Sequence, residues 1–156
     1  MALKIGAGDA ERIHEHALEA YPEECAGALV GIDAGGTKVV VDVWRAENTH
    51  EEERSRRFLI EPLKIKEFEE RAEAQEMGVL GFYHSHPDHP AEPSEYDRDH
   101  AWPGYSYVIA SVGRESVQDT RSWLLKDDRS GYDEEPIVGQ EEKRRVLCRR
   151  SRSQRP

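Results

Sequence analysis

The stretch GFYHSHP, at residues 81–87, places two histidines directly after an apolar run that begins at Val79. In a β-strand, side chains alternate between the two faces of the sheet, so His84 and His86 are expected on the same side. Their imidazoles would then lie close enough to bind one metal ion. The sequence therefore predicts a central strand that ends in a pair of metal ligands.

A third ligand is predicted in PSEYD, residues 93–97, where Asp97 follows His86 after ten intervening residues. Two neutral imidazoles and one carboxylate are a usual set for a catalytic zinc, because the fourth tetrahedral position is left to water. Two alternatives stay open. The histidines could be ordinary polar residues at a sheet end, and Ser94 to Asp97 also fits a helix N-cap with an acid at the third helical position.

Five polar positions together resemble the signature of the JAMM (MPN-plus) zinc metallopeptidases: Glu24, His84, His86, Ser94 and Asp97. The first of these comes from YPEECAGAL, residues 21–29, which is similar to the family's glutamate segment. Glu24 matches the catalytic glutamate by its position before Cys-Ala-Gly, and Glu23 is the alternative. Without the downstream motif, both glutamates would be expected to be solvated loop acids.

The resemblance, which spans about residues 3 to 125, implies a mechanism as well as a fold. Zn²⁺ would be bound by His84, His86 and Asp97, Glu24 would be the general base and acid, and Ser94 would donate a hydrogen bond to the oxyanion. The fold implied is a single MPN (JAB1/MPN) domain.

The resemblance also implies a substrate: the amide bond after the C-terminal Gly-Gly of a ubiquitin-like protein. A short chain with a Pro-Glu-Glu-Cys segment is most similar to the prokaryotic stand-alone branch, which acts on ubiquitin-like sulfur carriers. Three alternatives are a general deubiquitinating-type isopeptidase, a non-catalytic MPN scaffold and a DNA-associated relative. The sequence does not indicate an oligomeric state.

Charge is unevenly distributed along the 156 residues. The net charge is −10, while residues 141–156 carry seven Lys or Arg and two Glu, which leaves −15 for residues 1–140. The acidic body disfavours nucleic acid as a partner, since nucleic-acid binding depends mostly on cations that meet phosphates. We expect one domain over 1–140 and a basic, disordered tail over 141–156.

Compartment is predicted from two further features. Cys25 and Cys148 form no Cys-x-x-Cys pair, which favours a reducing environment over a disulfide framework or a structural zinc. Residues 1–8 lack the pattern of a signal peptide, and no apolar stretch approaches the roughly 18 residues that span a bilayer. The protein is expected to be cytoplasmic and not to associate with membranes.

Hydrophobic periodicity predicts an α/β protein with a mixed sheet flanked by helices. The predicted helices cover residues 10–20 and 62 to about 77, and Pro22 and Gly78 end them. The predicted strands cover residues 25–32, 38–44, 58–60, 79–83, 105–112 and 117–126, with a hairpin turn at 33–36. Residues 48–57 form a charged loop in which Arg54, Arg56 and Arg57 could contact a partner.

Overall fold

The computed structural model describes residues 2–50, 53–55 and 57–139. In this part of the chain eight strands form one sheet, accompanied by three helices. The strands are β1 (Ala2–Lys4), β2 (Ala26–Ala34), β3 (Thr37–Ala46), β4 (Gly78–Pro87), β5 (Ser106–Val112), β6 (Val117–Leu125), β7 (Tyr132–Glu135) and β8 (Ile137–Val138). The helices are α1 (Ala7–Ala20), α2 (Pro62–Ala74) and α3 (Glu95–His100). The predicted tail over 141–156 lies outside the described residues, as does Arg56.

The sheet is mixed, as predicted, and β4 lies near its centre. The strand order is β7-β6-β5-β4-β2-β3-β1-β8. β4 pairs antiparallel with β2 and parallel with β5, so its carboxyl end lies beside the start of β2 and the carboxyl end of β5. This arrangement brings the segment before β2 next to the end of β4.

Alternating side chains of the central strands build two apolar clusters, one on each face of the sheet. On one face, Tyr83 of β4 belongs to the same cluster as Ile13 of α1. On the other face, Phe82 belongs to the same cluster as Phe68 of α2. Because His84 and His86 follow Phe82 with period 2, they lie on the α2 face.

The second helix ends earlier than predicted. It stops at Ala74, and Glu76 adopts a left-handed conformation with φ of 58°. The Met77 N–H then donates to the Ala72 carbonyl, which satisfies one of the last carbonyls of the helix. The left-handed residue is a glutamate rather than the expected glycine, so Gly78 starts the next strand instead of ending the helix.

The strand predicted at residues 58–60 is wrong. The Leu59 N–H donates to the Asn48 side chain and the Leu59 carbonyl accepts from the Thr49 N–H, so this segment bonds to a loop and not to a sheet. The other predicted elements are confirmed, with shifts of a few residues: α1 begins at Ala7 and β2 at Ala26. No helix in the described ranges has the length and apolarity needed to cross a membrane.

Candidate metal centre

The end of β4 brings two histidines together on one face of the sheet, as the sequence predicts. His84 pairs with Ala26 of β2 and with Ile109 of β5, so neighbouring strands fix its backbone on both sides. His84 and His86 are only 1% and 7% exposed. Their Nε2 atoms lie 3.1 Å apart, so the two rings point toward a common position.

Asp97 completes this group from the first turn of α3. Its Oδ2 atom lies 3.3 Å from Nε2 of His84 and 3.1 Å from Nε2 of His86. The same oxygen accepts a hydrogen bond of 2.9 Å from the Ser94 N–H, while the Ser94 hydroxyl accepts from the Asp97 N–H at 3.1 Å. The helix cap that the sequence indicated and the convergence on the histidines therefore occur together, and the cap fixes the direction of the Asp97 side chain.

Contacts of the two histidine rings with their surroundings orient the rings so that their Nε2 atoms face each other and Asp97. Nδ1 of His86 lies 2.8 Å from the Pro90 carbonyl, which can only accept, so this nitrogen carries the proton and Nε2 carries a lone pair. The ring of Phe58 stacks on His84 with centroids 4.3 Å apart. The Pro90 carbonyl and the Phe58 ring, which are not part of the group formed by His84, His86 and Asp97, therefore orient the two imidazoles.

The electrostatics of the group favour a neutral His84 and an ionised aspartate. Burial lowers the pKa of His84. Burial also acts to lower the pKa of His86, but the hydrogen bond and charge of Asp97 outweigh it and raise that pKa. For Asp97, the two histidines and the Ser94 N–H overcome burial and hold its pKa well below the usual range. A carboxylate and two imidazole lone pairs directed at one point suit a divalent cation.

Glu24 lies beside this group at the entrance to β2. Its side chain is 3% exposed, and no described residue hydrogen-bonds its buried Oε1 atom. Burial, with a smaller effect of the Asp97 charge, raises the pKa of Glu24 to about 8. Ligand atoms of Glu24, His84 and His86 all lie within 4.8 Å of one another. Glu23 is exposed, so Glu24 is the acid that meets the histidines.

A cavity of about 290 Å³ opens next to these residues, and Glu24, His86 and Ser94 all line it. The Ser94 oxygen already accepts the Asp97 N–H, so its own hydroxyl hydrogen is left to donate toward a ligand. His89 is an exposed residue of the cavity wall and is not part of the metal-binding group. His100 stacks on Tyr96 with ring centroids 4.0 Å apart.

These contacts provide a test of whether a metal fits the site. The described residues leave Oε1 of Glu24, next to the converging histidines, buried without a hydrogen-bond partner. Buried polar groups without partners cost about 1–3 kcal/mol each, and they concentrate where a ligand or ion belongs. The donor set of two imidazoles and a carboxylate matches that of catalytic zinc sites. The residues present therefore fit a divalent metal.

Three supporting residues were not predicted from the sequence. Phe58 stacks on His84, Asn48 bonds the backbone of Glu24, and the Trp123 indole N–H donates to the Ala91 carbonyl in the loop between β4 and α3. Each acts through a contact distant in sequence. Only Phe58 stood in a recognisable pattern, the apolar run Phe-Leu-Ile, and that run was interpreted as a strand.

The fold and this site identify the class of protein. Residues 7–126 match the family of prokaryotic homologs of the JAB domain. The chain therefore belongs to the prokaryotic JAB family, and its fold is a single α/β JAB/MPN domain with a mixed sheet. The predicted fold class and family resemblance are confirmed.

Individual relatives agree with this assignment. The chain is 31% identical over 112 residues to Desampylase from Haloferax volcanii, a match that covers 70% of this chain and 80% of that protein. A solution structure of a Desulfitobacterium hafniense protein has a TM-score of 0.77 and 29% identity, covering 90% of this chain and 96% of that one. A Salinibacter ruber protein has a TM-score of 0.67 and 35% identity, with coverages of 88% and 90%.

A more distant structure shares the fold. A JAB1/MPN domain protein from Archaeoglobus fulgidus has a TM-score of 0.50 and 20% identity, and the match covers 89% of this chain and all of that one.

Proposed function

We propose that this protein is a zinc-dependent peptidase or isopeptidase that hydrolyses the amide bond after the C-terminal Gly-Gly of a ubiquitin-like protein. The observation that carries the proposal is the position of Glu24. A buried carboxyl group, whose Oε1 has no hydrogen-bond partner among the described residues, lies beside two histidines, Asp97 and a cavity. A structural acid would have a hydrogen-bond partner, whereas a general base keeps its oxygen available for a proton.

His84, His86 and Asp97 are the residues proposed to hold the metal. A bound zinc ion supplies a water of lowered pKa and a positive charge for the substrate carbonyl. Glu24 takes a proton from the attacking water at Oε1 and returns it to the nitrogen of the leaving amine. The Ser94 hydroxyl donates a hydrogen bond to the carbonyl oxygen as negative charge develops there.

The substrate class is supported by similarity and by the shape of the site. The relative named Desampylase and the prokaryotic JAB family both favour a ubiquitin-like substrate. A cleft of about 290 Å³ beside the catalytic acid suits an extended tail of glycines, which carry no side chains. Within this class we propose a sulfur-carrier protein, and a general isopeptidase would use the same residues.

Cleavage is tested by mass spectrometry of three substrates incubated with the zinc-loaded protein: a sulfur carrier extended beyond Gly-Gly, a lysine-linked carrier and a lysine-linked ubiquitin. We expect the wild type to release the carrier adducts and Glu24→Gln to release none. Cleavage of the lysine-linked ubiquitin at an equal rate would indicate a general isopeptidase and contradict the preference for a sulfur carrier. A protein that binds one zinc per chain and cleaves none of the three would contradict the proposed function.

The division of roles is tested by zinc titration against a chromophoric chelator. Asp97→Asn should lower zinc affinity by more than about 100-fold, which exceeds the effect of removing an outer-shell residue. Glu24→Gln should keep its zinc, because glutamine retains the size of the side chain and only the base is lost. The reverse result would make Glu24 a ligand together with His84 and His86, as their mutual distances also permit.

A further inference from the structure

The loop that joins β3 to α2 is described at residues 47–50, 53–55 and 57–61, and these residues contact the site without providing any of the proposed ligands. It holds the backbone of Glu24 at two points. The Glu24 N–H donates to the Arg54 carbonyl at 2.6 Å, and the Glu24 carbonyl accepts from Nδ2 of Asn48 at 3.0 Å. The proposed base is thus fixed through its backbone by this β3–α2 loop.

The side chain of Asn48 holds the β3–α2 loop together through hydrogen bonds. Its Nδ2 atom donates to the Glu24 carbonyl and to the Arg57 carbonyl, both at 3.0 Å. Its Oδ1 atom accepts from the His50 N–H and the Leu59 N–H, both at 3.1 Å. An asparagine amide offers two donors and two acceptor lone pairs. These four bonds use all of them, so neither aspartate nor leucine could replace it.

The same loop also contacts the proposed metal ligands from the other side. Phe58 stacks on the ring of His84. The Arg57 guanidinium lies 4.8 Å from the centre of the Tyr96 ring, and Tyr96 is the residue before Asp97. One loop therefore connects the backbone of the base with the histidine ring and with the start of α3.

The direction of the Glu24 side chain depends on these backbone bonds. No described residue hydrogen-bonds Oε1, so this oxygen is not oriented by a polar partner among the described residues. A side chain without such partners is aimed by the backbone that carries it, and a misplacement of about 1 Å can cost about 100-fold in rate. Loss of the hydrogen bond to the Glu24 carbonyl should therefore move the proposed base relative to the proposed metal site.

We propose that Asn48 is a positioning residue that aims Glu24 through its carbonyl bond and the bonds that hold the β3–α2 loop. This inference rests on the proposed function of Glu24 as the base. Asn48 bonds Glu24 directly, whereas it reaches His84 only through Arg57 and Leu59 and the ring of Phe58 between them. Its loss should therefore affect turnover more than zinc affinity.

The test compares Asn48→Asp and Asn48→Ala with a matched control, Thr49→Val. Aspartate keeps the shape of asparagine, but it replaces the donating amide by a carboxylate oxygen and adds a negative charge. Asn48→Ala removes the bonds without adding a charge, so a change shared by both variants reports the loss of the bonds. Thr49→Val removes the Oγ1 bond to the Leu59 carbonyl within the same loop and does not touch Glu24. We expect kcat to fall about 10- to 100-fold in both Asn48 variants, the range typical of residues that orient a catalytic group. KM and zinc affinity should stay within about threefold of wild type.

A second readout does not depend on activity. The Glu24 amide is bonded to the Arg54 carbonyl, so its hydrogen exchange measured by NMR reports whether the loop holds it. Exchange of the Glu24 amide should accelerate in Asn48→Asp, while the amides of Leu29 and Tyr83 in the sheet should not change. Thr49→Val should match wild type in both measurements.

The two readouts distinguish failure of this inference from failure of the proposed function. An unchanged kcat in Asn48→Asp, or an unchanged Glu24 amide, would overturn the positioning role. Equal losses in Thr49→Val would overturn it as well, since general loosening of the loop would then explain them. The wild type could cleave no substrate while hydrogen exchange of the Glu24 amide still accelerates in the Asn48 variants. The proposed reaction would then be wrong, but Asn48 would still hold the Glu24 backbone.

Discussion

Ser94 and Asp97 exchange two hydrogen bonds, and the oxygen through which Asp97 accepts is the one directed at both histidines. Helix capping and the proposed metal binding thus use the same carboxylate oxygen. The pair begins α3 and fixes the position of a proposed ligand with the same contacts. Substitutions of Ser94 can separate these roles, because a cap needs only an acceptor whereas an oxyanion needs a donor hydrogen.

Ser94→Ala should destabilise the protein by about 1 kcal/mol through loss of the cap. It should lower kcat by about 100- to 1,000-fold, as seen when an oxyanion donor is removed from a hydrolase. Ser94→Asp restores the acceptor of the cap, and its ionised carboxylate has no hydrogen to donate, so it should recover stability in urea unfolding and not recover turnover. Full activity in Ser94→Asp would show that Ser94 acts only as the cap.

Stability should decrease in mild acid because of His16. Nδ1 of His16 lies 2.7 Å from the Tyr83 hydroxyl, and burial with the nearby charge of Arg45 lowers the pKa of His16 to about 4. An unfolded histidine titrates near 6.5. Between pH 6.5 and 4 the unfolded chain binds the extra proton, so the stability contributed by neutral His16 is complete above pH 6.5 and is lost as the pH falls toward 4.

The measurement is urea unfolding at several pH values between 7.5 and 4 for wild type and His16→Asn. Asparagine retains an acceptor for Tyr83 and does not titrate. Its helix propensity costs a constant amount at every pH. The difference in unfolding free energy between the two proteins should therefore narrow as the pH falls below 6.5. A difference that stays constant would show that His16 is protonated equally in both states.

Gly81 should tolerate no side chain. It pairs with Ser106 where β4 and β5 run side by side, and a Cβ at this position would overlap the Ser106 backbone. Gly81→Ala should cost about 1–3 kcal/mol or more in urea unfolding, the range for overpacked cores. Gly78 in the same strand has nothing within 4 Å of the position that a methyl group would occupy, so Gly78→Ala is the matched control and should change stability by less than about 0.5 kcal/mol. Similar values for both would contradict the close approach.

The sequence predicted the convergence of His84, His86 and Asp97 but not the residues that support them, because the two kinds of contact differ in sequence separation. His84 and His86 are two residues apart in a strand, and Asp97 follows a capping serine. Patterns between neighbouring residues are therefore enough to predict these three positions. The pairing of Ala26 with His84, which carries Glu24 to the site, is a contact between distant segments. It could be inferred only from family resemblance.

The strand that was predicted wrongly and the strands that were not predicted also depend on contacts between distant segments. Phe58 to Ile60 has the composition of a strand, but its polar backbone groups are satisfied by Asn48 and Thr49, so no sheet partner is needed. β1, β7 and β8 are only three, four and two residues long. Strands this short show too little alternation for a pattern, and their place in the sheet depends on their neighbours.

The pairing of β2 with β4 has a consequence for the order of events as the protein matures. Glu24 and His84 are separated by a long stretch of chain, and Asp97 comes from a third segment, so the donors meet only after the central strands have paired. Apolar clusters on both faces of the sheet hold that pairing without help from an ion. Zinc fingers, by contrast, fold around their metal. Here an ion would bind to a protein that is already folded, and a chelator would remove the ion without unfolding the chain.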